Sequence, residues 1–208
     1  MRQQIGSFIN IEKETLYFKG CDSCQGYCCK GANGFMIAPL ILDDFAEVYR
    51  HFPILFSFQG SRLMAYLLLN NGQKECLYFV QNRCTIYEQR PPACRLYPIS
   101  PYFDALFVDT KCPSINAHAG EELCREGVLR EAFYTKRLEN FAQKREATQA
   151  FLKHIYDKTH FDYVGELSGM AFYAYNRPSD DTYLRMHRNS LKHLENYFEK
   201  TDEGQRAI

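Results

Sequence analysis

The chain has 208 residues, enough for one domain, or one domain with an extension, with a hydrophobic core that needs no cross-links to fold. It carries 25 basic and 25 acidic side chains, a balance that excludes a nucleic-acid binder working through bulk charge and an acidic disordered tail. At 46% hydrophobic and 15% aromatic it reads as globular.

Residues 1–8 lack the apolar stretch of a signal peptide. The nearly apolar runs at 35–42 and 65–69 fall far short of the ~20 residues that span a membrane. A strand is predicted over 15–18, and the Gly-rich segment 21–34 reads as loop. A short strand follows at 35–38. Asp43 and Asp44 precede Phe45, Val48, Tyr49 and Phe52, which predicts a helix near 42–52. Residues 63–69 and 76–80 read as a strand pair turning at Asn70-Asn71-Gly72, and 106–108 as another strand.

Beyond Cys112-Pro113 the composition shifts. Residues 121–156 hold helix formers, no proline and an apolar stripe through Val128, Phe133, Leu138, Phe141, Phe151, Leu152 and Ile155, predicting one long helix or two. Segment 161–175 is aromatic. Residues 181–200 form a final amphipathic helix announced by Ser179-Asp180-Asp181. The expected fold is α+β: an irregular cysteine-rich metal-binding module of short strands and helices over 1–115, followed by a helical C-terminal extension over 116–208 packed on it.

The nine cysteines are unevenly spread, eight of them within the first 112 residues. Cys21-x2-Cys24-x3-Cys28-Cys29 places four sulfurs within nine residues, and a C-x-x-C turn brings two close enough to share a metal. Cys76, Cys84, Cys94 and Cys112 are spaced as ligands delivered by separate strands and loops. Lys30, Arg83, Arg90 and Arg95 stand where they can offset thiolate charge. Core packing as small hydrophobes and a disulfide framework are the competing readings. Grouping in Gly-rich and Pro-rich loops argues against the first, and the missing signal peptide against the second.

Two stretches carry a resemblance. The run from Cys21 through Cys24 to Cys28-Cys29, with Cys84-Thr85-Ile86-Tyr87, Arg90-Pro91-Pro92-Ala93-Cys94-Arg95-Leu96-Tyr97-Pro98 and Cys112-Pro113-Ser114-Ile115, resembles the YkgJ-like cysteine-cluster family, a zinc- or iron-chelating class. It covers roughly residues 20–115. The resemblance implies eight metal ligands: Cys21, Cys24, Cys28, Cys29, Cys76, Cys84, Cys94 and Cys112. The implied cofactor is zinc or an iron–sulfur cluster, since all-thiolate ligation suits either.

The expectation is therefore a cytoplasmic, bacterial metal-binding protein with no assignable reaction. Its partner is a metal ion or cluster, with no nucleic acid and no membrane. The alternatives are an iron–sulfur enzyme with redox or S-adenosylmethionine-linked methyl-transfer activity, and a zinc-stapled interaction module; whether the chain is an enzyme stays open. No G-x-G-x-x-G, P-loop, G-x-S-x-G or H-E-x-x-H occurs. Cys124 stands outside the motif and reads as a helix-face cysteine. His118 reads as a surface histidine, with a role beside the cluster as the sharper alternative. The pairs His154/His160 and His187/His193 lie six residues apart, so the members of each pair share no helix face.

Overall fold

A computed structural model of the chain describes residues 4–5, 7–20, 24–102, 105–116, 118–200 and 206–207. It is α+β, with several sheets and a few helices. The contacts divide it into two units, each built from two chain segments: residues 1–28 with 78–143, and residues 29–77 with 144–208.

The first unit holds two antiparallel four-stranded sheets. One runs Gln4–Ile5, Phe8–Asn10, Ala105–Asp109, Ile99–Tyr102. The other runs Ile115–Asn116, Leu16–Phe18, Glu121–Arg125, Val128–Leu129. Ile9, Leu16, Ile99, Val108 and Leu123 meet in one core with Leu138. Phe18 and Phe133 pack edge to face against it, their ring centroids 5.9 Å apart.

The predicted helix over 121–156 begins only at Lys136, and the helix runs Lys136–His154. The cause is turn chemistry. Glu126 (φ 49°) and Gly127 (φ 84°) both take left-handed backbone, as a two-residue hairpin turn requires, so Cys124 pairs with Leu129 and Arg125 with Val128. Val128, counted in the helical stripe, is 67% exposed on this hairpin.

The hairpin expected at Asn70-Asn71-Gly72 also differs. Residues Phe79–Val80 pair with Arg83–Cys84 across Gln81-Asn82, both at positive φ. The long strand Arg62–Asn71 turns back onto Ile54–Gln59 at Gly60-Ser61, with Gly60 at φ 61°.

The second unit is one five-stranded antiparallel sheet in the order Phe161–Leu167, Met170–Tyr175, Ile54–Gln59, Arg62–Asn71, Phe35–Pro39. Arg62–Asn71 is buried along nearly its whole length, which fits its central, unbroken apolar run. The predicted helix near 42–52 is a 3-10 turn Leu42–Asp44 leading into Phe45–Val48. The final helix is Thr182–Ser190, capped by the Asp181 carboxylate accepting from Tyr183 N–H (2.8 Å) and Leu184 N–H (3.0 Å). Tyr183 packs edge to face on Phe45 and on Phe151.

Segment 116–208 is thus not helical throughout: Phe161–Leu167 and Met170–Tyr175 are strands, joined by a turn at Ser168-Gly169. Their alternating burial lets them add to the sheet as an outer hairpin.

The helix Thr182–Ser190 is tied to the sheet by His187, which is fully buried. Its Nδ1–H donates to the Ile54 carbonyl (2.8 Å), and its Nε2 accepts from the Tyr175 N–H (3.0 Å). Those two roles fix the neutral Nδ1–H tautomer. Burial pushes the pKa down to about 4. Ser190 Oγ adds a second tie, accepting from Ile54 N–H at 2.9 Å.

Candidate thiol site

The eight described cysteines are all in the thiol form. Cys21 lies outside the described residues. Cys24 is followed by Gln25 (φ 48°) and Gly26 (φ 71°), a left-handed pair that turns the chain sharply. A Cβ on Gly26 would stand 2.1 Å from a Phe79 ring carbon, so the ring packs directly on the bare backbone. The 3-10 turn Tyr27–Cys29 follows. Phe79 is buried, and across its ribbon it pairs with Cys84. Cys94 sits in the short helix Pro92–Leu96, whose opening proline has no N–H to lose.

Cys112 is buried at the end of a tight turn. Its N–H donates to the Asp109 carbonyl (3.2 Å), and its own carbonyl accepts from Ile115 N–H (2.9 Å). The Asp109 side chain, only 1% exposed, accepts from Tyr97 O–H (2.8 Å) and from Lys111 N–H (3.0 Å). Cys24 lies within electrostatic reach of Cys112, and Cys28 within reach of Tyr97. The loop is thus coupled electrostatically to the turn at two points, Cys24 to Cys112 and Cys28 to Tyr97.

Burial pushes the Cys112 thiol up to about 11. Cys24 and Asp109 add to the rise, while hydrogen bonds with the Ser114 backbone and the Tyr97 side chain work against it. Burial first, then the charges of Asp109 and Cys112, drive Tyr97 above the usual phenol range. Tyr27 is raised for the same reasons, burial leading. At neutral pH Tyr97 is a neutral donor to a buried carboxylate and Cys112 is protonated. Cys112 is thus not an activated nucleophile. It can act as the second thiol of a pair, after another has reacted.

Cys29 and Cys76 belong to the second unit, where Cys76 N–H donates to the Cys29 carbonyl at 2.7 Å. Cys124 is not on a helix but on the strand Glu121–Arg125, fully buried, with its thiol directed at the Glu14 carbonyl (3.6 Å). Arg90, expected to offset thiolate charge, stacks on Tyr87 with the guanidinium carbon 3.5 Å from the ring centroid; its Nε donates to the Tyr87 carbonyl at 2.8 Å. His118 is exposed, its N–H bonded to Asn116 Oδ1.

The sequence reading missed Tyr97 and Asp109. The signal was available in Asp109-Thr110-Lys111-Cys112, where an aspartate two residues before a backbone donor forms a side-chain-capped turn.

The metal-binding function read from the eight cysteines is corrected by this arrangement. Among the described residues, no group of three or more Cys, His, Asp or Glu side chains is placed to hold a metal ion. The iron–sulfur enzyme and the zinc-stapled module rested on the same ligand set and fall with it. Among the described residues no helix is long and apolar enough to cross a membrane.

No curated protein and no solved structure matches the chain. One family model does: SapC, over residues 25–164. That overturns the resemblance to the YkgJ-like cysteine-cluster family, whose motif starts at Cys21 and covers only a sparse set of positions. The SapC match takes in about two thirds of the chain, and the chain belongs to the SapC family.

Proposed function

We propose that this protein is a thiol redox protein of the reducing cytoplasm, in which Cys24 and Cys112 pass between dithiol and disulfide. The observation that supports it is the electrostatic coupling of Cys24 to Cys112, residues far apart in sequence, beside the Tyr97–Asp109 hydrogen bond. Cys24 is half-buried, whereas Cys112 is buried. A cytoplasmic location keeps such a pair reduced at rest.

The chemistry is thiol–disulfide exchange with a small disulfide of the glutathione class. The Cys24 thiolate attacks one sulfur of that disulfide; its S–S bond breaks, and the departing thiolate takes up the proton Cys24 released. Cys112 then loses its proton and attacks the Cys24 sulfur. A Cys24–Cys112 bond forms, and the second small thiolate leaves and is protonated. Two electrons pass from the protein to the oxidant, and two small thiols are produced. Tyr97 hydrogen-bonds both Asp109 and the Cys112 sulfur, and so holds the resolving thiol in place.

Counting thiols before and after equilibration with oxidised glutathione tests this. The wild type is expected to lose both Cys24 and Cys112 without a retained adduct. Cys112→Ser is expected to keep glutathione bound on Cys24, because the resolving thiol is gone. Unmodified Cys24 in both proteins would overturn the reading.

A further inference from the structure

The second unit carries its own cysteine pair, and we infer that Cys29 and Cys76 form a second, independent reversible disulfide that clamps the outer end of the Phe35–Pro39 and Arg62–Asn71 ribbon. The inference uses neither residue of the Cys24–Cys112 pair.

Phe35 pairs with Asn71 and Met36 with Asn70 in the antiparallel ribbon. The two chains do not part where the regular strands end. Asn70 Oδ1 accepts from Met36 N–H (3.2 Å) and Gly72 N–H (3.0 Å), and Asn71 Oδ1 accepts from Gln73 N–H (3.0 Å) and Lys74 N–H (2.7 Å). The bond to Met36 crosses to the opposite chain, and the other three fold residues 70–74 into a compact turn. A Cβ on Gly31 would stand 2.3 Å from the Lys74 carbonyl oxygen, so the two backbones touch there and only glycine fits. Two residues further out, Cys76 N–H donates to the Cys29 carbonyl at 2.7 Å.

A single backbone hydrogen bond of that length sets the two Cα atoms roughly 5–6 Å apart by standard bond lengths. Disulfides bridge Cα separations of about 4.4–6.8 Å. Cys29 closes the 3-10 turn Tyr27–Cys29 and Cys76 follows the bend at 72–74, so it is this backbone contact that sets their separation. Both thiols are present in the reduced form, Cys29 half-buried and Cys76 buried. An incoming disulfide of the glutathione class therefore meets Cys29 first. Its S–S bond breaks, one small thiol leaves with the Cys29 proton, and Cys76 displaces the second, which leaves with the Cys76 proton. The net change is two cysteine thiols oxidised and one small disulfide reduced to two thiols.

The test is a peptide map of the full chain after equilibration with oxidised glutathione and blocking of the remaining thiols. The expected result is a peptide pair linking Cys29 to Cys76, lighter by about 2 Da than the two thiol peptides and separated by dithiothreitol. Because Cys28 adjoins Cys29, Cys28→Ser and Cys29→Ser are mapped in parallel: the link is expected to persist in the first and vanish in the second. Cys76→Ser is expected to leave a stable glutathione adduct on Cys29. A Cys76 that stays a thiol in fully oxidising buffer, or a link that follows Cys28 instead, overturns the inference. The Cys24–Cys112 link is read in the same digest as a separate peptide pair, so either can fail without the other.

Discussion

Acid should loosen the second unit through a single histidine. His187 is buried with both ring nitrogens engaged, and its pKa is depressed to about 4 from the ordinary value of 6.5. In the unfolded chain it binds a proton near the ordinary value; in the folded chain it resists. Because the folded pKa lies below the unfolded one, the full contribution is present above about pH 6.5 and is lost as pH falls toward about 4. The difference of about 2.5 units corresponds to roughly 3 kcal/mol once both states are protonated, and to about 2 kcal/mol at about pH 5. Urea denaturation from about pH 8 to about pH 5 measures it, with His187→Gln as the control that removes the titrating group. The wild type should lose about 2 kcal/mol more than the variant over that range. At neutral pH the variant itself should be weaker by several kcal/mol, about 1–3 for each of the Ile54 and Tyr175 backbone groups left without a partner. Parallel pH slopes in the two proteins, or an imidazole titrating near 6.5 in the folded state, would refute the reasoning.

Tyr97→Phe removes the hydroxyl that donates to buried Asp109 and should cost about 1–3 kcal/mol in urea, with Asp109→Asn recovering part of the loss in the double variant. Alkylation of Cys112 by iodoacetamide should be slow at neutral pH and rise about tenfold per pH unit up to about 11, followed by mass spectrometry; a plateau below about pH 9 contradicts the burial argument. Gly127→Ala should destabilise by more than Gly60→Ala. Both positions have positive φ, but a Cβ at 127 would stand 2.2 Å from the Glu12 carbonyl oxygen, whereas at 60 it meets open space. Equal thermal shifts for the two variants would contradict that difference.

The strands that read clearly in the sequence were short apolar runs next to turn residues. Leu16–Phe18, Phe35–Pro39 and Ala105–Asp109 fall where residues 15–18, 35–38 and 106–108 predict them. The start of Thr182–Ser190 was legible because an N-cap carboxylate acts locally, on donors two and three residues away. What failed was partner choice. Arg62–Asn71 had to pair with something, and whether it turned at Gly60-Ser61 or at Asn70-Asn71 depended on burial across the whole sheet. The hairpin through Glu126-Gly127 was hidden because Glu121 to Arg125 holds residues that also favour helices, and two turn positions outweighed that propensity.

The thiol site was half legible. Spacing identified the cysteines but grouped them as one set. The fold parts them instead, with Cys24, Cys28 and Cys112 in one unit and Cys29 with Cys76 in the other. Adjacent residues Cys28 and Cys29 fall on either side of that division. No local pattern carries such a parting, because it is decided by which distant backbone each residue meets.

The central claim is that Cys24 and Cys112 are one redox pair. A peptide map of the wild-type chain titrated through glutathione buffers of increasing oxidation tests it most directly. A reversible pair predicts a Cys24–Cys112 peptide link that appears over a defined range of buffer ratios and disappears when the titration is reversed. Cys24 and Cys112 found only as thiols, or each joined separately to glutathione throughout the titration, would contradict it.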